Sequence, residues 1–124
     1  MKRRVVITGI GVVSPIGNDL ASFWSGIENG SCGISRISLF DCTDYKVSLA
    51  AEVKDLDMEQ YFSKRDLKFN DRFTQFSRIA AKQAFDDSKL NMEEIDKTKC
   101  GVIIASGIGG IESIENAEIT LSTK

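Results

Sequence analysis

The chain has 124 residues, of which 42% are hydrophobic and 27% are charged, and its formal net charge is -2. This length allows one ordinary domain, and the composition excludes a disordered tail or a repeat array. The nearly balanced charge provides no global field for nucleic acid. No apolar run approaches the ~20 residues that span a bilayer. We therefore expect a soluble, cytoplasmic protein that binds neither nucleic acid nor membrane.

The N-terminal third predicts a buried strand followed by a helix. Residues 4–13 are rich in valine and isoleucine, and a Ser-Pro pair follows them. This pattern predicts a central strand that is covered on both faces. Asn18 or Asp19 can cap a helix that Asn29-Gly30 would end. The apolar residues of that helix recur at helical spacing: Leu20, Phe23, Trp24 and Ile27. We expect it to pack on the first strand.

The middle third gives weaker signals before a second, longer helix. A short strand is predicted at Leu49 to Val53 and a helical turn at Met58 to Phe62. Asn70 or Asp71 then caps a helix that runs to about residue 88. Its apolar residues form one wide stripe: Phe73, Phe76, Ala80, Ala81, Ala84 and Phe85. A stripe this wide implies that a large helix face is buried.

The last third predicts a second central strand and a further helix. The apolar run from Gly101 to Ala105 fits a buried strand, and the glycine-rich residues 106–110 make a turn after it. A helix is then predicted by apolar residues at helical spacing: Ile111, Ile114, Ala117 and Leu121. The order strand, helix, helix, strand, helix indicates an α/β fold whose sheet is largely parallel or mixed and flanked by helices.

Residue types that carry chemistry do not form a complete site. Cys32, Cys42 and Cys100 are odd in number and lack metal-ligand spacing, so we expect three small buried hydrophobes. A cysteine nucleophile needs a base or a positive field, and the chain has no histidine. The acidic residues 86–96 are typical of a solvated face. We predict no catalytic residue, no cofactor and no metal within these residues.

The glycines that follow the first predicted strand raise one alternative function. Gly9 and Gly11 lie where a dinucleotide site would place a phosphate-binding turn. That fingerprint requires glycine in place of Ser14, and Val12-Val13 are bulky where the backbone must approach phosphate. Glycine here favours close packing of neighbouring layers. A nucleotide-binding α/β module remains an alternative.

Three segments together resemble one enzyme family: Arg3 to Asn18 (RRVVITGIGVVSPIGN), Asp71 to Gln75 (DRFTQ) and Ala105 to Ile111 (ASGIGGI). They resemble β-ketoacyl-acyl carrier protein synthases, and most closely the type II synthase. The resemblance implies the N-terminal part of a thiolase-like, layered α/β/α/β/α fold. Such enzymes are much longer and use a cysteine nucleophile and two histidines. We therefore expect residues 1–124 to be the N-terminal portion of a synthase domain, truncated before the catalytic cysteine and inactive alone.

The same resemblance implies a role in fatty acid biosynthesis. The full-length enzyme, a homodimer, would condense an acyl group with malonyl-carrier protein and release carbon dioxide, so its partners would be acyl carrier protein and the acyl and malonyl thioesters. The residue matching Ile108 would project into the acyl pocket near the dimer interface. Lys64, Arg65 and Lys68 would help to dock the acidic carrier protein. A non-catalytic partner of the chain-length-factor type, which differs at the cysteine, remains an alternative.

Overall fold

The computed structural model describes residues 3–123, which form a mixed α/β chain with four helices and a small sheet among them. The helices are α1 (Leu20–Glu28), α2 (Lys64–Phe69), α3 (Arg72–Ser88) and α4 (Ile111–Ser122). The strands are β1 (Ile34–Arg36) and β2 (Leu49–Ala51), and 3-10 turns lie at Met58–Gln60 and Lys97–Lys99. Within residues 3–123 no helix has the length and apolarity that crossing a membrane requires.

The predicted bounds of the first helix are confirmed. The Asp19 carboxylate accepts the backbone N–H of Ser22 at 2.9 Å, and the Ser22 hydroxyl accepts the backbone N–H of Asp19 at 3.3 Å. These reciprocal bonds make a capping box at the start of α1. Gly30, at a φ of +63°, follows the helix end. The buried residue of α1, Gly26, lies against Ile16, which follows the predicted strand of residues 4–13.

The two predicted central strands do not form. Residues 4–13 and 101–105 contain no strand, and Val5 and Ile103 are 95% and 98% exposed. A buried strand of a parallel sheet needs neighbours on both edges, and no strand of residues 3–123 pairs with either run. The observed sheet is instead β1 beside β2, antiparallel, with Ser35 opposite Ala50. β1 was not predicted, whereas β2 lies inside a predicted strand.

Glycines of the N-terminal segment pack directly on α3. A Cβ atom on Gly9 would collide with the backbone oxygen of Ala84, and a Cβ atom on Gly11 would collide with that of Ala80. The prediction that these glycines allow close packing is therefore confirmed. No helix begins directly after them, since α1 begins at Leu20. The turn thus lacks the helix N-terminus that a dinucleotide-binding module uses to hold phosphate.

Side chains of α3 also bind the backbone of this segment. The N–H of Ile10 donates to the Asp87 carboxylate at 3.0 Å, and the N–H of Val12 donates to Gln83 Oε1 at 2.9 Å. Gln83 Nε2 donates in turn to the carbonyl oxygen of Asn18 at 2.7 Å. The Gln83 amide therefore holds the chain on both sides of the Ser14–Gly17 turn.

The apolar core is smaller than the pattern predicted. The buried residues of α3 are Gln75 and Ile79, whereas the predicted stripe is only partly covered and its first residue, Phe73, is exposed. Phe62 and Ile79 line the same groove. The Arg78 guanidinium lies over the Phe62 ring, 4.7 Å from its centroid. The helix therefore buries the face that meets the preceding loop and α2.

Two of the three cysteines contradict the expectation of burial. Cys42 is buried, but Cys32 and Cys100 are exposed, and all three are free thiols. Cys100 directly precedes the uncovered run 101–105, and Cys32 lies in the loop that follows α1. Their exposure follows from the absence of a covering layer over these segments within residues 3–123.

Candidate functional site

The basic residues Lys64, Arg65 and Lys68 lie together on α2, a helix that the sequence pattern did not reveal. Ser63 begins it, since its hydroxyl accepts the backbone N–H of Asp66 at 3.2 Å. All three basic side chains are exposed. In the part of the chain that the structure describes, none of them forms an ion pair. Their charge is therefore available to a partner.

Asp66, the one acid within α2, is directed towards α3. Its carboxylate accepts the Ser63 hydroxyl at 2.7 Å and lies 4.0 Å from the Arg78 guanidinium. The hydrogen bond from Ser63 is the main cause that lowers the pKa of Asp66 below its usual value, and the charges of Arg78 and Arg65 add to it. Asp66 thus stays ionised while the exposed face of α2 remains basic.

Ile108 lies in a separate glycine-rich loop, as predicted. Gly109 has a φ of +79°, a backbone conformation that glycine adopts easily, and its N–H donates to the Ser106 hydroxyl at 3.0 Å. The loop therefore turns sharply and leaves Ile108 projecting, with 74% of its surface exposed. No closed pocket surrounds the side chain within residues 3–123. Its place in an acyl pocket stays a prediction.

A polar cleft of about 300 Å³ separates the end of α2 from the start of α4. Cations and acids both line it, with Lys68 and Arg72 on one side and Glu112 on the other. The remaining lining residues are Leu67, Phe69, Asn70, Asp71, Gln75, Ser113 and Asn116. α2, which carries Lys64, Arg65 and Lys68, therefore lies close to α4, the helix that follows the loop of Ile108.

Gln75 fastens α2 to α3 at the base of this cleft. Its Nε2 donates to the carbonyl oxygen of Asn70 at 2.7 Å and to that of Leu67 at 3.4 Å. The residue is buried, so these bonds form away from solvent. In the sequence, Gln75 stands out only as the last residue of the family-like segment Asp71 to Gln75. A glutamine within an apolar helix pattern was the available signal.

Asp71 was expected as a possible cap of α3, and the structure corrects its role. It occupies the N-cap position of α3, but its side chain makes no cap hydrogen bond there. The carboxylate instead accepts the hydroxyl of Ser113 in α4 and touches Gly110, the N-cap residue of α4. This contact joins residues 42 positions apart. No local sequence signal indicated it.

An apolar groove brings the two predicted strands together on α3. Gly11, Val12 and Val13 line it with Ala105, although neither run forms a strand. The α3 residues Phe73, Phe76, Ser77 and Ala80 complete the groove.

Within residues 3–123 no three side chains of the histidine, cysteine, aspartate or glutamate types gather as metal ligands.

Comparison of the sequence with known protein families identifies the family of this chain. Residues 2–124 match the family model described as "Beta-ketoacyl synthase, N-terminal domain". The chain belongs to the β-ketoacyl synthase family. The resemblance inferred from the three sequence segments is thereby confirmed for the family.

Curated relatives of this chain are named 3-oxoacyl-[acyl-carrier-protein] synthase 2. Identity is 44% over 123 residues with the Vibrio cholerae protein, 40% over 123 residues with that of Synechocystis, and 42% over 122 residues with that of Staphylococcus aureus. These alignments cover 98–99% of the chain. They cover only 30% of each relative, so the chain spans less than a third of their length.

A solved structure has a similar fold. The protein titled "The ishigamide ketosynthase/chain length factor" superposes with a TM-score of 0.76 at 26% sequence identity. The superposition covers 98% of this chain and 31% of the matched chain. The mixed α/β arrangement of residues 3–123 is therefore also present in a chain of this ketosynthase/chain length factor structure.

Proposed function

We propose that the full-length protein is a 3-oxoacyl-[acyl-carrier-protein] synthase of fatty acid biosynthesis. It would transfer an acyl group to a cysteine thiol, then condense that group with malonyl-carrier protein as carbon dioxide leaves. The observation that carries this proposal is the family match over residues 2–124, together with curated relatives of that name at 40–44% identity. In this proposal residues 1–124 are the N-terminal portion of the synthase domain. The cytoplasmic location stays a prediction.

We further propose that the complete protein is a homodimer with a thiolase-like, layered fold of the α/β/α/β/α type. Residues 4–13 and 101–105 would become strands when further chain supplies their neighbours. Their proximity in one groove on α3 supports this proposal. Their high exposure also supports it, because apolar β-branched residues gain most when a second layer covers them.

In the full-length enzyme, α2 would dock acyl carrier protein through Lys64, Arg65 and Lys68. Their shared exposed face and their lack of ion pairs within residues 3–123 support this role. Complementary charge speeds the encounter and orients the partner. Ile108 would line the acyl pocket, since it projects from a sharp turn and offers an apolar branched surface to an alkyl chain. The partners that we propose are acyl carrier protein and the acyl and malonyl thioesters.

A second candidate is a non-catalytic partner of the chain-length-factor type. The solved relative whose title names both a ketosynthase and a chain length factor favours keeping it. Purified full-length protein, incubated with acyl- and malonyl-carrier protein, is expected to form the 3-oxoacyl product and carbon dioxide. The 124-residue chain, which has no histidine, is the matched negative control. Activity that appears only after a catalytic synthase is added would favour the second candidate.

A further inference from the structure

Two helices begin beside one carboxylate in this structure. Asp71 is the N-cap residue of α3, but its side chain makes no cap hydrogen bond to that helix. The N-cap residue of α4 is Gly110, which has no side chain to make one. The Asp71 carboxylate lies instead at the start of α4, where it accepts the Ser113 hydroxyl. A negative charge at a helix N-terminus is favourable because the backbone dipoles place partial positive charge there. Asp71 therefore stabilises the start of α4 from a neighbouring helix.

The same carboxylate determines how the loop before α4 is held. Gly110 touches it so closely that a Cβ atom at that position would collide with it. Ile108 stands two residues earlier, on a turn made by Gly109 and Ser106. The loop therefore has its own turn at one end and the Asp71 contact at the other.

On its other side, Asp71 is continuous with the helix that carries the basic cluster. Lys68 lies three residues before it, and the buried Gln75 binds the carbonyl oxygens of Leu67 and Asn70. The Asn70 side chain also donates to the carbonyl oxygen of Asp66 at 2.8 Å. The end of α2 is thus fixed to α3 within one turn of Asp71.

We propose that Asp71 is a positioning residue that holds the Ile108 loop, through Ser113 and Gly110, in a fixed place beside the end of α2. The carboxylate touches no substrate in this role. Its effect on acyl-chain selection rests on the proposed function, because it acts through Ile108. Its effect on the loop itself does not.

Amide hydrogen exchange in the full-length protein tests the loop directly and needs no enzymatic activity. Asp71→Ala is expected to raise exchange of two amides about tenfold, that of Gly109, which donates to the Ser106 hydroxyl, and that of Ile114, which donates to the carbonyl oxygen of Gly110. Asp71→Asn keeps an oxygen that accepts the Ser113 hydroxyl, so it should restore most of the protection. Ser113→Ala and Gly110→Ala should resemble Asp71→Ala, because one removes the donor and the other displaces the carboxylate.

Asp19→Ala is the matched control, since Asp19 is also an N-cap aspartate that bonds a serine hydroxyl. It should raise exchange at the start of α1 and leave the Gly109 and Ile114 amides unchanged. The inference is overturned if Asp71→Ala leaves the Gly109 and Ile114 amides protected, or if Asp19→Ala raises their exchange equally. Should Asp71→Ala not fold, the Ser113→Ala and Gly110→Ala variants decide the matter alone.

A second measurement connects the loop to catalysis. The ratio of kcat/KM for long and short acyl primers should change about fivefold in Asp71→Ala and return towards the parent value in Asp71→Asn. An equal loss for all primers would overturn the effect on selection. If the parent protein shows no condensation at all, the proposed function fails, and hydrogen exchange still decides whether Asp71 holds the loop.

Discussion

The carboxylate of Glu52 accepts both the backbone N–H and the hydroxyl group of Ser38, at 3.0 Å and 2.7 Å. The N–H of Leu39 is a further donor, at 3.2 Å. Glu52 follows β2 and is only 9% exposed, so these bonds tie the segment after β1 to the segment after β2. The hydrogen bond from the Ser38 side chain is the main cause that lowers the pKa of Glu52 below its ordinary value near 4.5.

Glu52→Gln should lower the thermal midpoint of the protein, because an amide presents N–H groups where donors already converge. Since the folded pKa is lowered, the contribution of Glu52 to stability is present above pH 4.5 and is lost as the pH falls through the folded pKa. Thermal unfolding across this range should show the parent approaching the variant in acid. Glu59→Gln, at an exposed position, is the control. Parallel curves for parent and Glu52→Gln would contradict the assignment.

The close contact between the N-terminal segment and α3 predicts a second effect on stability. Gly11→Ala would place a methyl group against the backbone of Ala80, and overpacking of this kind costs about 1–3 kcal/mol. Gly101→Ala is the matched variant, because a Cβ atom there meets nothing within 4 Å. Urea unfolding should show a lower midpoint for Gly11→Ala alone. Equal midpoints for the two variants would place the N-terminal segment away from α3.

Reversal of charge on α2 should weaken use of the carrier protein selectively. In the full-length enzyme, Lys64→Glu, Arg65→Glu and Lys68→Glu combined are expected to lower kcat/KM for carrier-bound substrates and to flatten its dependence on salt. Turnover of a small acyl thioester should stay nearly unchanged. A variant that reverses Lys46, Lys89 and Lys97, which are exposed elsewhere, changes the net charge equally. Similar losses in both variants would indicate a general charge effect instead.

Bulk at Ile108 should limit the length of the acyl chain that the enzyme accepts. Ile108→Phe in the full-length enzyme is expected to reject long primers and to spare short ones, because overpacking a filled cavity costs about 1–3 kcal/mol. This corresponds to roughly one to two orders of magnitude in relative kcat/KM, measured by competition between primers. Ile34→Phe, on β1, is the control. A uniform decline with all primers would make Ile108 a structural turn residue.

Local signals in the sequence predicted much of the helical structure. Asp19 and Gly30 lie at the two ends of α1, where side-chain capping and a left-handed residue decide the bounds. α3 likewise begins after Asp71 and ends at Ser88, as its apolar period predicted. Such features depend on residues within one or two turns, so the sequence displays them directly.

Contacts between distant segments were not predictable in the same way. The runs 4–13 and 101–105 have the composition of buried strands, yet composition does not identify the neighbours that a strand needs. Asp71 is a residue type that commonly caps helices, but its carboxylate accepts a hydrogen bond from Ser113 in another helix. Burial of Gln75 likewise depends on where α2 ends. Each of these outcomes is decided by tertiary packing that overrides a local preference.

The bonds made by Gln83 also set an order of events during synthesis. Its partner Val12 precedes it by 71 residues, so the N-terminal segment is made long before the residue that holds it. At typical translation rates of about 5–20 residues per second, this interval lasts roughly 4–14 s. During that time the backbone N–H groups of Ile10 and Val12 lack the acceptors that Asp87 and Gln83 later provide. The N-terminal segment therefore reaches its place beside Gln83 only after α3 has left the ribosome.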